Sequence, residues 1–252
     1  MTHVPTHTIY TLGEDGFSSY FGPYVLGPDL PSHAELEFST TKVTVSSGES
    51  GTIDVTAEPP QGLDQTRYPY WSGFIVVNGT DGSSLSLPYQ GLGGSLEDAI
   101  AIREDGTSLY LEDSRLNEPI PANRTLTLPA PGEIVDVGQI SLPVIVGELQ
   151  WGSERFFAHL VPMTTCPPNS IVTAHGVESI GQILTWPNYF APRSSLYFIW
   201  YGQLEDGQYA PPGRYKIVFQ VLRIFGNPSD EDDWLISETV PFVIEYADPT
   251  EA

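Results

Sequence analysis

The clearest alternation of apolar and polar positions lies between Trp71 and Gly91, WSGFIVVNGTDGSSLSLPYQG. Phe74 and Val76 fall on one side of an extended backbone and Ile75 and Val77 on the other, which predicts a strand buried on both faces. Asn78-Gly79 and Asp81-Gly82 tolerate positive φ and supply a turn. On the return, Leu85, Leu87 and Tyr89 alternate with Ser84, Ser86 and Pro88, so the second strand reads as apolar on one face only. The pattern predicts a β-hairpin with a defined inside and outside.

The same period of two recurs along the chain. Ile9, Tyr10 and Leu12 form an extended run ahead of a loop rich in Gly, Pro and aromatic residues from Phe17 to Pro31. Leu36 and Phe38, then Val43 and Val45, alternate with polar residues up to Ser46-Ser47-Gly48, and Ile53, Val55 and Ala57 alternate afterwards, predicting two antiparallel strands joined by a short turn. Pro59 to Asp64 cannot continue a central strand and reads as the crossover into the hairpin. Gly93 to Asp98 combines flexible residues with a helix N-cap candidate at Ser95, and a domain boundary is expected there: residues 1–92, then 93–247, then a tail of 248–252.

Beyond that boundary Leu109 and Leu111 alternate with Ser108, Tyr110 and Glu112, and Pro119, Pro121, Pro129 and Pro131 punctuate a passage of edge strands and loops. Val135 to Val146 and Leu149 to Val161 are β-branched or aromatic runs broken by Gly138, Pro143 and Gly147. Leu196 to Trp200 and Tyr215 to Leu222 are the most regular strands, the latter with Tyr215, Ile217, Phe219 and Val221 on one face, and Thr239 to Tyr246 closes the unit. Helical period is missing, so the expected class is all-β, as two consecutive β-sandwiches.

Composition sharpens this reading. Gly 24 and Pro 23 in 252 residues sit between the apolar runs, as turns do, and form no low-complexity tract. Lys+Arg 10 against Asp+Glu 32 gives a formal charge of -22, which repels phosphate backbones and argues against nucleic acid as a partner. No run of 18 apolar residues is present, so no membrane insertion is expected, and the first residues lack the basic and apolar regions of an export signal. Asn78-Gly79-Thr80 and Asn123-Arg124-Thr125 are N-glycosylation acceptor patterns, and the single Cys166 reads as a buried, inert thiol.

Chemistry-bearing motifs are scarce. Gly106-Thr107-Ser108 begins like the nucleophile signature of subtilisin-like peptidases, but Leu109-Tyr110-Leu111 follows in strand alternation where that signature has a small residue and a proline. His175-Gly176 lacks the surroundings of that family's histidine, so no catalytic residue is assigned. His3, His7, His33, His159 and His175 show no metal-ligand spacing, and Asp230 to Asp233 lacks the Gly and later Glu of a calcium loop, so no metal or cofactor is expected. No pair of carboxylates is singled out for glycoside hydrolysis. Trp186, Tyr189, Phe190, Tyr197, Trp200 and Tyr201 form an aromatic-dense segment whose alternate members fill a core; the loop members Trp186 and Tyr189 remain as a candidate aromatic binding platform at the surface.

Tyr70-Trp71-Ser72-Gly73-Phe74-Ile75 with Leu85-Ser86-Leu87-Pro88-Tyr89-Gln90-Gly91 resembles the end of the fibronectin type III-like domain that follows the catalytic domain in large secreted subtilases. Val43-Thr44-Val45, the Gly48 turn and Pro59-Pro60-Gln61-Gly62-Leu63 match the same domain in order. Trp200-Tyr201-Gly202, Asp206-Gly207, Pro212-Gly213-Arg214-Tyr215 and Val221 to Gly226 are similar to the C-terminal module of the fungal members, and their core is also similar to immunoglobulin-like repeats of flagellar hook-capping proteins.

The resemblance implies a fibronectin type III-like sandwich, short of its first strands, followed by an immunoglobulin-like one. It implies a non-catalytic accessory region of a serine endopeptidase, whose partners are the subtilase catalytic domain or a protein substrate, at an extracellular or cell-wall location. The differing expectation is a free-standing adhesive or carbohydrate-binding protein.

Overall fold

The computed structural model describes residues 1–13, 24–25, 33–103, 109–164, 171–174 and 176–248. Ser108, Cys166 and His175, singled out above, lie outside them. The chain divides into two compact units, Met1–Ser95 and Leu96–Ala252. It is an all-β sandwich protein: among the described residues the helical elements are single 3-10 turns, including Leu96–Asp98 where Ser95 reads as an N-cap.

The first unit contains β1 (Thr2–Pro5), β2 (Ile9–Tyr10), β3 (Tyr24–Val25), β4 (Glu35–Phe38), β5 (Val55–Glu58), β6 (Pro69–Asn78) and β7 (Ser84–Leu92). The long β6 carries β1 and β2 along one edge and β7 along the other, and β3 extends the sheet from β2. β4 and β5 pair separately, Leu36 opposite Ala57. They are shorter than the alternation predicts. Val43 and Val45 lie outside the strands and close over Gly51, in a loop whose Ser46–Glu49 turn places Gly48 at φ 81.

The hairpin β6–β7 forms in one register, Trp71 opposite Gly91, Gly73 opposite Tyr89 and Ile75 opposite Leu87. Its burial departs from expectation. Pro69, Trp71, Gly73 and Ile75 are buried while Phe74, on the opposite face beside Val4, is exposed, so β6 is covered on one face and not on two. Leu85 and Leu87 do share the Ile75 and Val77 face, as the alternation requires, yet are 72% and 62% exposed. The period of two assigns a residue to a face; it does not say how far the covering layer reaches.

Two aromatic–glycine pairs pin the hairpin. The Trp71 indole lies where a Cβ on Gly91 would sit, and the Tyr89 ring lies where one on Gly73 would sit, 2.5 Å from its hydroxyl oxygen. Each strand thus provides one ring and one glycine to the other. The two rings also meet, with centroids 6.1 Å apart. This reciprocity is the physical content of the Trp-Ser-Gly and Pro-Tyr-x-Gly strings.

The second unit contains β8 (Leu109–Asp113), β9 (Glu118–Pro119), β10 (Arg124–Leu128), β11 (Pro143–Glu148), β12 (Ser153–Pro162), β13 (Val172–Ala174), β14 (Val177–Ser179), β15 (Asn188–Ala191), β16 (Ser195–Ile199), β17 (Gly213–Leu222), β18 (Trp234–Glu238) and β19 (Phe242–Tyr246). One sheet has the order β10-β19-β17-β12-β15 with β18 also on β17, and another the order β16-β11-β8-β9. Leu109, Leu111 and Ile145 from the smaller sheet share one apolar core with Phe156, Leu160, Tyr215, Ile217, Phe219, Val221, Phe242 and Ile244 from the larger.

Three features escape the period-two reading. The Val135 to Val146 run is loop up to Pro143, whose strand begins there. β18 is a strand in its own right, separated from β19 by Thr239 to Pro241; at that break the Thr239 hydroxyl accepts from the Ile217 N–H at 3.0 Å, so the ladder closes through a side chain. β10 pairs with β19 in parallel, Arg124 opposite Phe242 and Leu128 opposite Tyr246, and a parallel partner far away in sequence leaves no local signature.

Candidate functional site

The aromatic platform expected from Trp186 and Tyr189 does not form. The segment from Leu184 to Pro187 is a loop, but it turns inward: the Trp186 backbone N–H donates to the Ile183 carbonyl at 3.0 Å, with Thr185 at φ 83. The indole is driven into the core, edge-on to Phe198 at 4.8 Å and to Phe156 at 5.6 Å, and is 2% exposed. A loop position beside proline favours exposure only while the core has no room for the ring, and here the sandwich has room. Tyr189, at the edge strand β15, is exposed and stands edge-on to Phe157, which stacks on Trp234 at 5.3 Å on the outer face of the larger sheet. The two residues therefore lie on different sides of that sheet.

A different aromatic pair comes together on the outer face of the smaller sheet. Tyr110 on β8 and Tyr197 on β16 both stand directly opposite Val146 on the intervening β11. Two strand spacings place their backbones roughly 9.6 Å apart on one face. Tyr197 is 60% exposed and Tyr110 half-buried, with Ile199 exposed one pleat along, opposite Val144 and in line with Glu112. Burial raises the Tyr110 phenol above its ordinary range, and the Glu112 and Glu148 carboxylates and Tyr197 push it further the same way. The result is a surface with two rings and two carboxylates around the buried Val146. Such a surface can stack planar or pyranose faces and accept hydrogen bonds from hydroxyls. The alternation at Leu109 to Glu112 already puts Tyr110 and Glu112 on the face opposite Leu109 and Leu111, but joining them to Tyr197 needs the pairing through β11, which is non-local.

Both acceptor asparagines are exposed. Asn78 ends β6 at the hairpin tip, where Gly79 and Ser83 close the turn, and its Oδ1 accepts from the Ser84 hydroxyl at 2.9 Å. Asn123 stands at φ 62 just ahead of β10, its Oδ1 accepting from Arg214 at 2.7 Å. Those contacts use the oxygen of each side chain and not the Nδ2, the atom a glycan would join. His3 bonds the Tyr89 hydroxyl, and burial with the nearby His33 lowers its pKa. Among the described residues no group of three or more His, Cys, Asp or Glu is placed to hold a metal ion, and no helix is long and apolar enough to cross a membrane.

Comparison with known proteins adds one match. Residues 6–90 fit the family model of an Fn3-like domain, which spans β2 through most of β7 and includes the Gly73–Tyr89 pair and Trp71, ending one residue short of Gly91. No curated protein matches the chain.

Proposed function

We propose that this chain is the non-catalytic accessory region of a subtilisin-like serine endopeptidase, with its first unit packed against the catalytic domain and its second unit a spacer that positions protein substrates. The Fn3-like family that fits residues 6–90 is one associated with subtilases, which supports the reading. The observation that carries it is the hairpin: Leu85 and Leu87 lie on the core-facing side of β6–β7 and yet are exposed, in the unit that has the family match. Two exposed leucines on one face of an edge strand are an apolar surface suited to a permanent partner.

The region works at an extracellular or cell-wall location, with Asn78 and Asn123 as glycan sites. The test mixes the chain with a separately produced subtilisin-like catalytic domain from a fungal subtilase and measures association by calorimetry. Binding that is lost in Leu85→Ser/Leu87→Ser supports the proposal. An absence of binding, or binding indifferent to those changes, removes it.

The second reading is a carbohydrate-binding sandwich, and what favours it is the Tyr110 and Tyr197 pair across Val146. Retention of the chain on insoluble cell-wall polysaccharide, abolished by Tyr197→Ala, would select it over the first.

A further inference from the structure

The second unit has a cleft of about 430 Å3 along the outer edge of β10, on the flank where that strand and the connection from β9 bridge the two sheets. Every residue of β10, Arg124 to Leu128, lines it. The ladder with β19 fixes which backbone groups face it. The Leu128 carbonyl accepts from the Ala247 N–H at 2.8 Å, so Leu128 and, by the alternation of a parallel ladder, Leu126 direct their backbone groups to β19, while the Arg124 N–H closes a turn on the Pro121 carbonyl at 3.2 Å. Thr125 and Thr127 therefore turn their N–H and C=O groups outward, and among the described residues nothing pairs with them.

Three further properties bear on what would lie there. The floor is apolar, formed by Ile120, Leu126, Leu128 and Leu142. Along β10 the charges at the two ends are opposite: Arg124 opens the strand, and Asp248 lies six residues past its partner Phe242, roughly 20 Å along, with neither in an ion pair among the described residues; Asp113, Arg115 and Glu133 line the cleft as well. The edge is also unguarded. The other long edge, β7, has Pro88 in mid-strand, where an edge proline faces its missing donor outward and blocks further pairing; β10 has threonines instead.

We infer that this cleft binds an extended polypeptide segment by strand addition to β10. The segment pairs with the outward amides and carbonyls of Thr125 and Thr127, sets an apolar side chain on the Leu126 and Leu128 floor, and places an acidic residue at the Arg124 end and a basic one at the Asp248 end. A sugar would leave the alternating backbone groups unused, and the span between the charges fits about six extended residues. The inference goes beyond the accessory role above, since it holds whether or not the first unit packs on a catalytic domain.

The test presents the full chain to an array of heptapeptides with alternating Val and Thr centres, an acidic residue at one end and Lys at the other, in both orders. The strongest peptide is then titrated in solution by fluorescence anisotropy. Binding should favour one order of charges, and Arg124→Glu, which leaves both ends acidic, should abolish that preference. Thr127→Pro removes one outward donor without touching the β19 ladder and should weaken binding by up to about tenfold. If that variant does not fold, the peptide itself decides: N-methylation of the alternate amides that face β10 should abolish binding, and methylation of the other set should not. No binder on the array, equal binding by both methylated peptides, or binding unchanged by Arg124→Glu overturns the inference.

Discussion

In the second unit Phe156, Phe219, Phe242 and Ile244 have no exposed surface, whereas in the first Leu85 and Leu87 remain largely in water on the face that leads inward. The two units thus solve the same problem to different degrees. The second closes a core from two sheets, with Trp186 drawn in from a loop to fill it. The first covers the base of its long hairpin, at Trp71 and Ile75, and leaves the distal half open. The contrast teaches that the second unit's stability is internal while part of the first unit's apolar surface is available for contact with something else.

The largest effect that would sharpen this contrast is expected in the second core. Phe219 packs against Phe156 at 5.9 Å and Trp186 at 6.4 Å with no exposure, so Phe219→Ala should cost about 3–5 kcal/mol in chemical denaturation of that unit. A loss below ~1 kcal/mol would mean that this core is loosely packed and the contrast unfounded. Next comes the hairpin. Gly91→Ala puts a methyl into the Trp71 ring and should destabilise the first unit by about 1–3 kcal/mol, followed by calorimetric unfolding. Adding Trp71→Leu to that variant should cost less than the sum of the two single changes, because the clash is removed with the ring.

A smaller, pH-dependent effect belongs to the second unit. Tyr246 packs over Gly202, donates to the Ala210 carbonyl at 2.7 Å, and is pushed up to about 12 by burial, with Tyr215 and Tyr209 adding to the shift. An unfolded tyrosine titrates near 10, so the fold favours the protonated phenol: this contribution is complete below pH 10 and is lost as pH rises towards 12. Denaturation midpoints should therefore fall with pH across that window, and Tyr246→Phe should make the fall shallower. The smallest effect separates packing from binding. Leu85→Ser/Leu87→Ser should leave the melting of the isolated chain within about 0.5 kcal/mol, since exposed side chains contribute little to folding. A clear loss of stability would mean that the two leucines are covered in solution.

Much of the fold was legible because strand residues declare their face. Leu109 with Leu111, and Tyr215 through Val221 at every second position, are buried as the alternation requires. The hairpin register was legible for the same reason, together with its turn residues. Burial depth was not, as Leu85 and Trp186 show in opposite directions: one sits on the correct face with nothing above it, the other in a surface-type loop that folds back. Tyr110 was visible as lying on the face opposite Leu109 and Leu111, but Tyr197 was read only as one of an aromatic-dense segment, and their meeting depends on β11, whose start was obscured by the Val135 to Ser141 run. The edge of β10 was unreadable because its parallel partner lies at the other end of the unit.

The aromatic–glycine pairs bear on how the hairpin could change over time. Sliding β7 by two residues along β6 in one direction would set Trp71 against Tyr89 and Gly73 against Leu87, and both rings would lose their berths together; in the other direction Trp71 would meet Gly93, but Tyr89 would be set against Ile75. Conversely, enlarging either glycine is tolerated only if the ring on the opposite strand shrinks. The four positions therefore form two interlocked couples: in any set of functional variants, substitutions at 71 and 91, and at 73 and 89, should travel together. The same couples leave one productive alignment for a chain that is still searching, which makes this hairpin a segment whose mispairing is self-correcting.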